Sequence, residues 1–257
     1  MLRNVTRLKG FEIRARDGEI GTLDQFYLDD ESWAIRYLVV NTGDWLSDRL
    51  VLVSPLALRQ AEWESRRLDV ALTKKQIEDS PPIDTHKPVS RQHEAAYLGY
   101  YNYPYYWAGP NYPAGLAVQE EAESAQARAG KESADSHLRS TEAVTGYHIE
   151  AADGEIGHVR DFIVDDETWD IRYLEVDTQN WWPGKKVLVS PQWIKRVSWL
   201  DSKVYVDLTR ETIQNGPEWI ESIPVTREYE HRLYDYYARS PYWEPVAEQH
   251  SRTASKG

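Results

Sequence analysis

Apolar and polar residues alternate with a period of two along most of the chain, which is typical of half-buried β-strands. The alternation over residues 11–15 stops at Asp17-Gly18, a dipeptide that favours a tight hairpin with positive φ at both residues. Gly21 is a candidate bulge in the return strand at 20–28. The pattern predicts a small antiparallel barrel of six short strands, the other four near 35–40, 50–53, 61–64 and 67–72.

The chain contains this pattern twice. Residues 10–55 and 146–191 align without a gap at an offset of 136, and 25 of their 46 positions are identical. The offset continues as far as Tyr106-Trp107 and Tyr242-Trp243. We therefore predict two homologous domains at 4–107 and 140–243, joined by an Ala/Glu-rich linker at 108–139 and followed by a polar tail at 244–257.

Helix signals follow the strands in each copy. Thr73 and Thr209 are placed to cap one short helix, and Ser90 and Thr226 to cap a second. The second helix leads into a Tyr/Trp-rich segment, here the aromatic segment, which covers Tyr97–Trp107 in the first copy. The predicted fold class is thus mainly β, with two small antiparallel barrels that are each followed by short helices and an aromatic segment.

The opening glycine, Asp-Gly hairpin, acidic turn and RYLVV strand of residues 10–42 resemble the PRC-barrel family, as does their second copy. The chain is similar both to the cytoplasmic domain of the photosynthetic reaction-centre H subunit and to stand-alone bacterial members of this family. The resemblance implies two PRC-type barrels. Because family members serve as adaptors in unrelated settings, it also implies a binding role without naming the partner.

Composition excludes several classes of protein. The chain has 42 acidic and 30 basic residues, and this balance argues against nucleic-acid binding, which depends on phosphate neutralisation. The absence of cysteine excludes disulfides, thiolate metal sites and a cysteine nucleophile, and it fits a cytoplasmic location. The sequence has no apolar stretch of about 18 residues, so we expect membrane contact only through a partner.

Acidic turns are the first candidate for chemistry. Asp29-Asp30 and Asp165-Asp166 are clustered carboxylates that can bind divalent cations or hold protons. Aspartate also suits turns, because its side chain bonds the nearby backbone. We favour the structural role, and we expect no metal or cofactor.

Two other polar features have simple structural explanations. Arg36 and Arg172 lie in the middle of a predicted strand, where pairing with a neighbouring carboxylate is favoured over binding of an anionic ligand. None of the seven histidines has metal-ligand spacing, and His137 falls in the predicted linker.

The aromatic segments are the second candidate site. They either pack back on the barrels or form a protein-interaction surface. The loop tryptophans are either lids or docking residues. The candidate interaction residues are Tyr100, Tyr101, Tyr106, Trp107, Tyr236, Tyr237, Tyr242, Trp243, Trp45 and Trp181.

We predict a non-catalytic protein-interaction or adaptor module that binds another protein or itself. Two alternatives stay open on sequence alone. One is a peripheral component of a bacterial photosynthetic or electron-transfer complex, by analogy with the H subunit. The other is a hydrolase that uses Asp30 and Asp166, which no catalytic motif supports.

Overall fold

The computed structural model describes residues 1–81, 89–107, 136–178 and 185–244. Trp181, most of the predicted linker and nearly all of the predicted tail therefore lie outside the described residues.

The first repeat has a short strand and helix, then six strands, and then two helices separated by a short strand. In chain order these elements are β1 (Leu2–Asn4), α1 (Val5–Leu8), β2 (Glu12–Ala15), β3 (Gly18–Asp29), β4 (Ile35–Asn41), β5 (Leu50–Val53), β6 (Leu58–Glu62), β7 (Arg67–Val70), α2 (Lys74–Glu78), β8 (Val89–Ser90) and α3 (Arg91–Tyr101).

The second repeat follows the same plan. Its elements are β9 (Ser136–Ser140), α4 (Thr141–Val144), β10 (His148–Ala151), β11 (Gly154–Asp165), β12 (Ile171–Asp177), β13 (Lys186–Val189), β14 (Ile194–Ser198), β15 (Lys203–Val206), α5 (Arg210–Asn215) and α6 (Arg227–Tyr236). Single 3-10 turns lie at Gly43–Leu46, Pro55–Ala57 and Pro191–Trp193.

Each repeat builds one sheet, so the mainly β fold class is confirmed. The strand orders are β5-β4-β3-β2-β7-β6 and β13-β12-β11-β10-β15-β14. One feature differs from the antiparallel prediction, because β2 pairs with β7, and β10 with β15, in parallel. The local alternation of residues does not encode strand direction, so the sequence could not show this pair.

The compact units of the fold do not coincide with the sequence repeats. One, here the repeat-1 unit, comprises 5–144 and 168–170; the other, the repeat-2 unit, comprises 1–4, 145–167 and the chain from 171 onwards. Residues 136–139 were predicted as linker, but they form most of β9 and lie in the repeat-1 unit. Their strand is fixed by burial of Leu138, which has no exposed surface.

The first strand of each repeat completes the sheet of the other repeat. β9 pairs antiparallel with β3 in the repeat-1 unit, placing Leu138 opposite Asp29. β1 pairs antiparallel with β11 in the repeat-2 unit, placing Leu2 opposite Asp165. The two pairings have the same register at the repeat offset, so the exchange of strands is a reciprocal feature of the fold.

A second short segment of repeat 2 also belongs to the repeat-1 unit. The Trp169 carbonyl accepts a hydrogen bond from the backbone N–H of Ile35 at 2.8 Å. The Trp169 ring lies 6.0 Å from the ring of Phe26, centroid to centroid. The repeat-1 unit therefore contains two short parts of repeat 2, the β9–α4 segment and residues 168–170.

The Asp-Gly hairpins form where they were predicted, but with a different turn. Ala15 pairs with Gly18, so the two turn residues are Arg16 and Asp17, and neither has positive φ. Gly18, the first residue after the turn, has a φ of +140°. A register shift in the same hairpin confirms a bulge next to Gly21. A Cβ on Gly21 would lie 1.9 Å from the carbonyl oxygen of Asn41, so glycine is required there.

Helix capping follows the sequence signals at Thr73, Thr209 and Thr226, whereas the side chain of Ser90, the fourth predicted cap, lies outside the described residues. The Thr73 side chain accepts from the backbone of Gln76, whose side chain completes a capping box. Thr209 and Thr226 cap α5 and α6 in the same way, each accepting from a backbone N–H three residues later.

Candidate functional site

The aromatic segment of repeat 1 packs against its own sheet. The Tyr97 hydroxyl donates to the carbonyl of Leu52 at 3.0 Å and accepts from the backbone N–H of Ser54 at 3.1 Å. Its ring meets that of Tyr37 edge-on, at 5.0 Å between centroids. Of the two sequence interpretations, packing back on the sheet describes this part of the segment.

The candidate interaction residues differ in exposure. Tyr100 and Tyr236 are exposed, at 42% and 41%, whereas Tyr237 is buried at 6%. Tyr237 therefore belongs to the core rather than to the surface, because its ring packs on Trp193 at 4.8 Å between centroids. The remaining members that the structure describes are partly buried: Tyr101, Tyr106, Trp107, Tyr242, Trp243 and Trp45.

The two exposed tyrosines are held in the same way. The Tyr100 hydroxyl donates to the carbonyl of Gln76 at 2.9 Å, and the Tyr236 hydroxyl donates to the carbonyl of Thr212 at 3.0 Å. Each ring also meets the next tyrosine of its segment edge-on, at 4.8 and 5.0 Å between centroids. Both units therefore present one fixed, exposed aromatic ring at the equivalent position.

Trp45 covers part of the repeat-1 sheet. Its indole N–H donates to the carbonyl of Ile20 at 2.5 Å, and the Lys74 ammonium lies 4.5 Å from the centre of its ring. These contacts fit the lid interpretation. Its counterpart Trp181 lies outside the described residues.

A buried carboxylate lies beneath the aromatic segment of repeat 1, and sequence reasoning missed it. Glu94 on α3 is 1% exposed. Its Oε1 accepts from the hydroxyls of Tyr37, at 3.1 Å, and Tyr106, at 2.8 Å. The Nε2 of His137 lies 2.6 Å from Oε2. The cluster joins a sheet strand, a helix, the aromatic segment and the exchanged strand β9.

The repeat-2 unit has an equivalent carboxylate cluster. Glu230 accepts from the hydroxyls of Tyr173, at 2.8 Å, and Tyr242, at 2.9 Å. The Arg227 guanidinium also pairs with the Glu230 carboxylate at 3.0 Å. A signal for both sites was present in the sequence, since Glu94 and Glu230 occupy the same helix position of the repeat.

Burial sets the protonation of these tyrosines. It raises the pKa of Tyr37 well above the ordinary value, and the negative charge of Glu94 adds to the effect. Burial, together with Glu230, raises the pKa of Tyr242 to about 12. The phenols therefore stay protonated and act as hydrogen-bond donors to the carboxylates.

His137 is not a linker residue. It is 9% exposed, and besides Glu94 it contacts the hydroxyl of Tyr106 at 3.1 Å through Nε2. Its position on β9 explains this burial, because the strand pairs with β3 and with β8.

The acidic turns are structural in geometry. Asp29 Oδ1 accepts from the backbone N–H groups of Glu31, at 3.2 Å, and Ser32, at 2.7 Å. Burial raises the pKa of Asp29, but the bonds from Ser32 and the charge of Arg36 outweigh it and leave the pKa lowered. Asp165 Oδ1 accepts from the backbone N–H of Glu167 at 3.1 Å.

The second aspartate of each turn binds an arginine of the exchanged strand. Arg139 donates to Asp30 at 3.0 Å, and Arg3 donates to Asp166 at 2.5 Å. Burial leaves the pKa of Asp30 raised although Arg139 opposes this. Both carboxylates proposed for a hydrolase thus hold the exchanged strands in place.

Arg36 and Arg172 cover the tyrosines of the two clusters. The Arg36 guanidinium lies 3.8 Å from the ring centre of Tyr106, and that of Arg172 lies 4.1 Å from the ring centre of Tyr242. Arg172 also pairs with Asp165 at 3.6 Å, as expected. Both cations are therefore engaged inside their own unit.

Among residues 1–81, 89–107, 136–178 and 185–244, no group of three or more histidine or acidic side chains is arranged to hold a metal ion. In the same part of the chain, no helix is long and apolar enough to cross a membrane.

These observations define a class of protein: a mainly β module in which the buried carboxylate clusters and the acidic turns hold the fold together. The sequence model of the PRC-barrel domain family matches residues 2–76 and 146–213, which together are more than half of the chain. The chain therefore belongs to the PRC-barrel family, as a tandem member. No curated protein gives a match to it.

Proposed function

We propose that the chain is a non-catalytic adaptor in the cytoplasm that binds a partner protein through equivalent surfaces on its two units. The observation that carries the proposal is the pair Tyr100 and Tyr236. Each is an exposed ring whose hydroxyl is bonded to a helix carbonyl. A large aromatic side chain that is already fixed loses little entropy on binding, which is why such residues dominate many interfaces.

Two equivalent surfaces on one chain support binding by avidity. A partner with two copies of the recognised feature would bind the second unit at a raised effective concentration. The alternatives, membership of a photosynthetic or electron-transfer complex and hydrolysis, gain no specific support. Asp30 and Asp166 are engaged by Arg139 and Arg3.

The test is quantitative affinity capture with the full chain as bait. We expect a protein that the natural chain recovers and that the Tyr100→Ser/Tyr236→Ser variant loses. Leu56→Ser/Leu200→Ser is the matched control, because both leucines are also exposed, at 61% and 95%, and lie elsewhere in the sequence. Equal recovery by all three baits, or no specific protein in any of them, contradicts the proposal.

A further inference from the structure

An equivalent position in each unit is filled by a strand of the other repeat. In the repeat-1 unit, β9 lies along Tyr27–Asp29 of β3, and in the repeat-2 unit, β1 lies along Ile163–Asp165 of β11. We call these two positions the exchange slots. Because the register is the same in both, the slots bind equivalent strands in an equivalent way.

Both slots recognise an arginine of the strand. Arg139 Nε donates to Asp30 Oδ2 at 3.0 Å, and Arg3 Nε donates to Asp166 Oδ2 at 2.5 Å. The backbone N–H of Asp30 also donates to the carbonyl of His137 on β9 at 2.9 Å, and that of Asp166 donates at 3.0 Å to the carbonyl of Met1, which precedes β1. A charge-assisted bond next to a backbone bond fixes both the register and the direction of the strand.

The residue after the arginine distinguishes the two slots. In the repeat-1 unit, the Ser140 hydroxyl donates to the side-chain oxygen of Gln25. In the repeat-2 unit, the Asn4 amide donates to Asp161, at 3.1 Å, and Glu175, at 3.0 Å, and both carboxylates are buried. An amide supplies two donors to two carboxylates, which a single hydroxyl cannot do. The slots therefore match different strands, which favours exchange over pairing within one repeat.

An empty slot would be unstable. Leu138 has no exposed surface and packs in the core cluster with Val89 and Tyr97. Removal of β9 would expose this apolar surface together with the unpaired backbone of a strand edge. Such an edge is the kind of site that captures an added strand.

We propose that the exchange slots also accept the same strands from a second copy of this chain, so that two copies can pair by reciprocal strand exchange. This inference goes beyond the proposed function, since it concerns the slots and not Tyr100 or Tyr236. A second copy fits because it carries a strand identical to the one already bound. Residues 108–135 connect repeat 1 to β9, so this strand and its slot belong to one chain, and covalent connection raises the effective concentration of the strand at the slot. Pairing within the chain therefore dominates until it is disfavoured.

Reversing one charge of the Arg139–Asp30 pair selectively weakens the pairing of β9 with its slot within one chain. In Arg139→Asp, two carboxylates meet in the repeat-1 slot, and in Asp30→Arg, two guanidinium groups meet there. Neither variant relieves the repulsion alone or in a homodimer. In a heterodimer of the two variants, Arg139 of one chain meets Asp30 of the other, and the introduced Asp at 139 meets the introduced Arg at 30. Attraction is thus restored in the repeat-1 slot of each chain.

The experiment is co-expression of the two full-length variants with different tags, followed by native mass spectrometry. We expect at least about tenfold more heterodimer than homodimer of either variant. The double variant Arg139→Asp/Asp30→Arg restores attraction within one chain, so we expect a monomer of 29.9 kDa, like the natural chain.

A matched control uses an ion pair outside the slots. Lys195 and Asp207 lie 2.8 Å apart with both side chains about half exposed. Co-expressed Lys195→Asp and Asp207→Lys should give no excess of heterodimer. If either slot variant does not fold, Arg3→Asp with Asp166→Arg tests the other slot. No excess of heterodimer from the folded slot pair, or an equal excess from the control pair, overturns the proposal. None of these variants changes Tyr100 or Tyr236, so the result does not bear on the proposed function.

Discussion

Arg139 on β9 donates a hydrogen bond to Asp30 at 3.0 Å, although the two residues are 109 positions apart in the sequence. Their side chains are 21% and 11% exposed. The bond ties the first strand of repeat 2 to the acidic turn of repeat 1. At the repeat offset, Arg3 and Asp166 form the same bond. The Arg139–Asp30 bond is therefore one half of a reciprocal feature of the fold.

Loss of this arginine should destabilise the chain. Arg139→Ala leaves the Asp30 side chain, which is 11% exposed, without its charged donor, so we expect the free energy of unfolding to fall by about 1–3 kcal/mol. Urea denaturation measures the change. Lys195→Ala is the control, since its ion pair is exposed and should cost less than about 1 kcal/mol. Equal losses would show that Arg139 is only a surface charge.

The buried carboxylate needs its tyrosines. Tyr106→Phe removes a hydroxyl that donates to Glu94 at 2.8 Å, and we expect a loss of about 1–3 kcal/mol in the free energy of unfolding. Tyr103→Phe changes the same segment at a ring that stacks on Tyr101, and should cost less than about 0.5 kcal/mol. A Tyr106→Phe variant as stable as Tyr103→Phe would contradict the cluster.

Gly21 is constrained by a neighbouring strand end. Gly21→Ala would place a Cβ 1.9 Å from the Asn41 carbonyl oxygen at a φ of +142°. We expect a loss of at least about 3 kcal/mol, since strain and overpacking add. Gly43→Ala also sits at positive φ, but with nothing within 4 Å, and should cost about 1 kcal/mol. The difference between the two chemical denaturation midpoints is the test.

Stability should fall in alkali. The pKa of Tyr242 is about 12 in the folded chain and about 10 in the ordinary phenol, so between these values the folded state keeps a proton that the unfolded state has lost. Folding therefore weakens as pH rises from 10 to 12, and Tyr242→Phe should reduce this dependence. Urea midpoints across that range measure it, with the exposed Tyr236→Phe as control. A dependence that Tyr242→Phe leaves unchanged would show that this phenol makes no contribution.

The periodic features of the fold could be predicted from sequence. The six predicted strands of each repeat, the positions of the Asp-Gly hairpins and the caps at Thr73 and Thr209 are set by residues close together in the chain, and these appear as expected, although the turn of the hairpin differs. The repeat also identified most of the tryptophans as shared features of the fold.

The long-range features could not be predicted. Leu2-Arg3 and Leu138-Arg139 are identical, so nothing local shows which unit each strand completes. Glu94 was missed because glutamate on a helix is nearly always exposed, and its burial depends on two tyrosines, one 57 residues upstream and one 12 residues downstream. Its recurrence at Glu230 was the available signal.

Cysteine cross-linking tests the exchange of strands most directly, because the chain has no natural cysteine. The Ser140 hydroxyl hydrogen-bonds to Gln25 of repeat 1. The residue of repeat 2 that is equivalent to Gln25 is Asp161, and it hydrogen-bonds to Asn4 of repeat 1. We predict that a short bismaleimide links the cysteines of Gln25→Cys/Ser140→Cys within one chain at least about tenfold faster than those of Ser140→Cys/Asp161→Cys. Faster linkage of the second pair would show that β9 stays with its own repeat and would contradict the account.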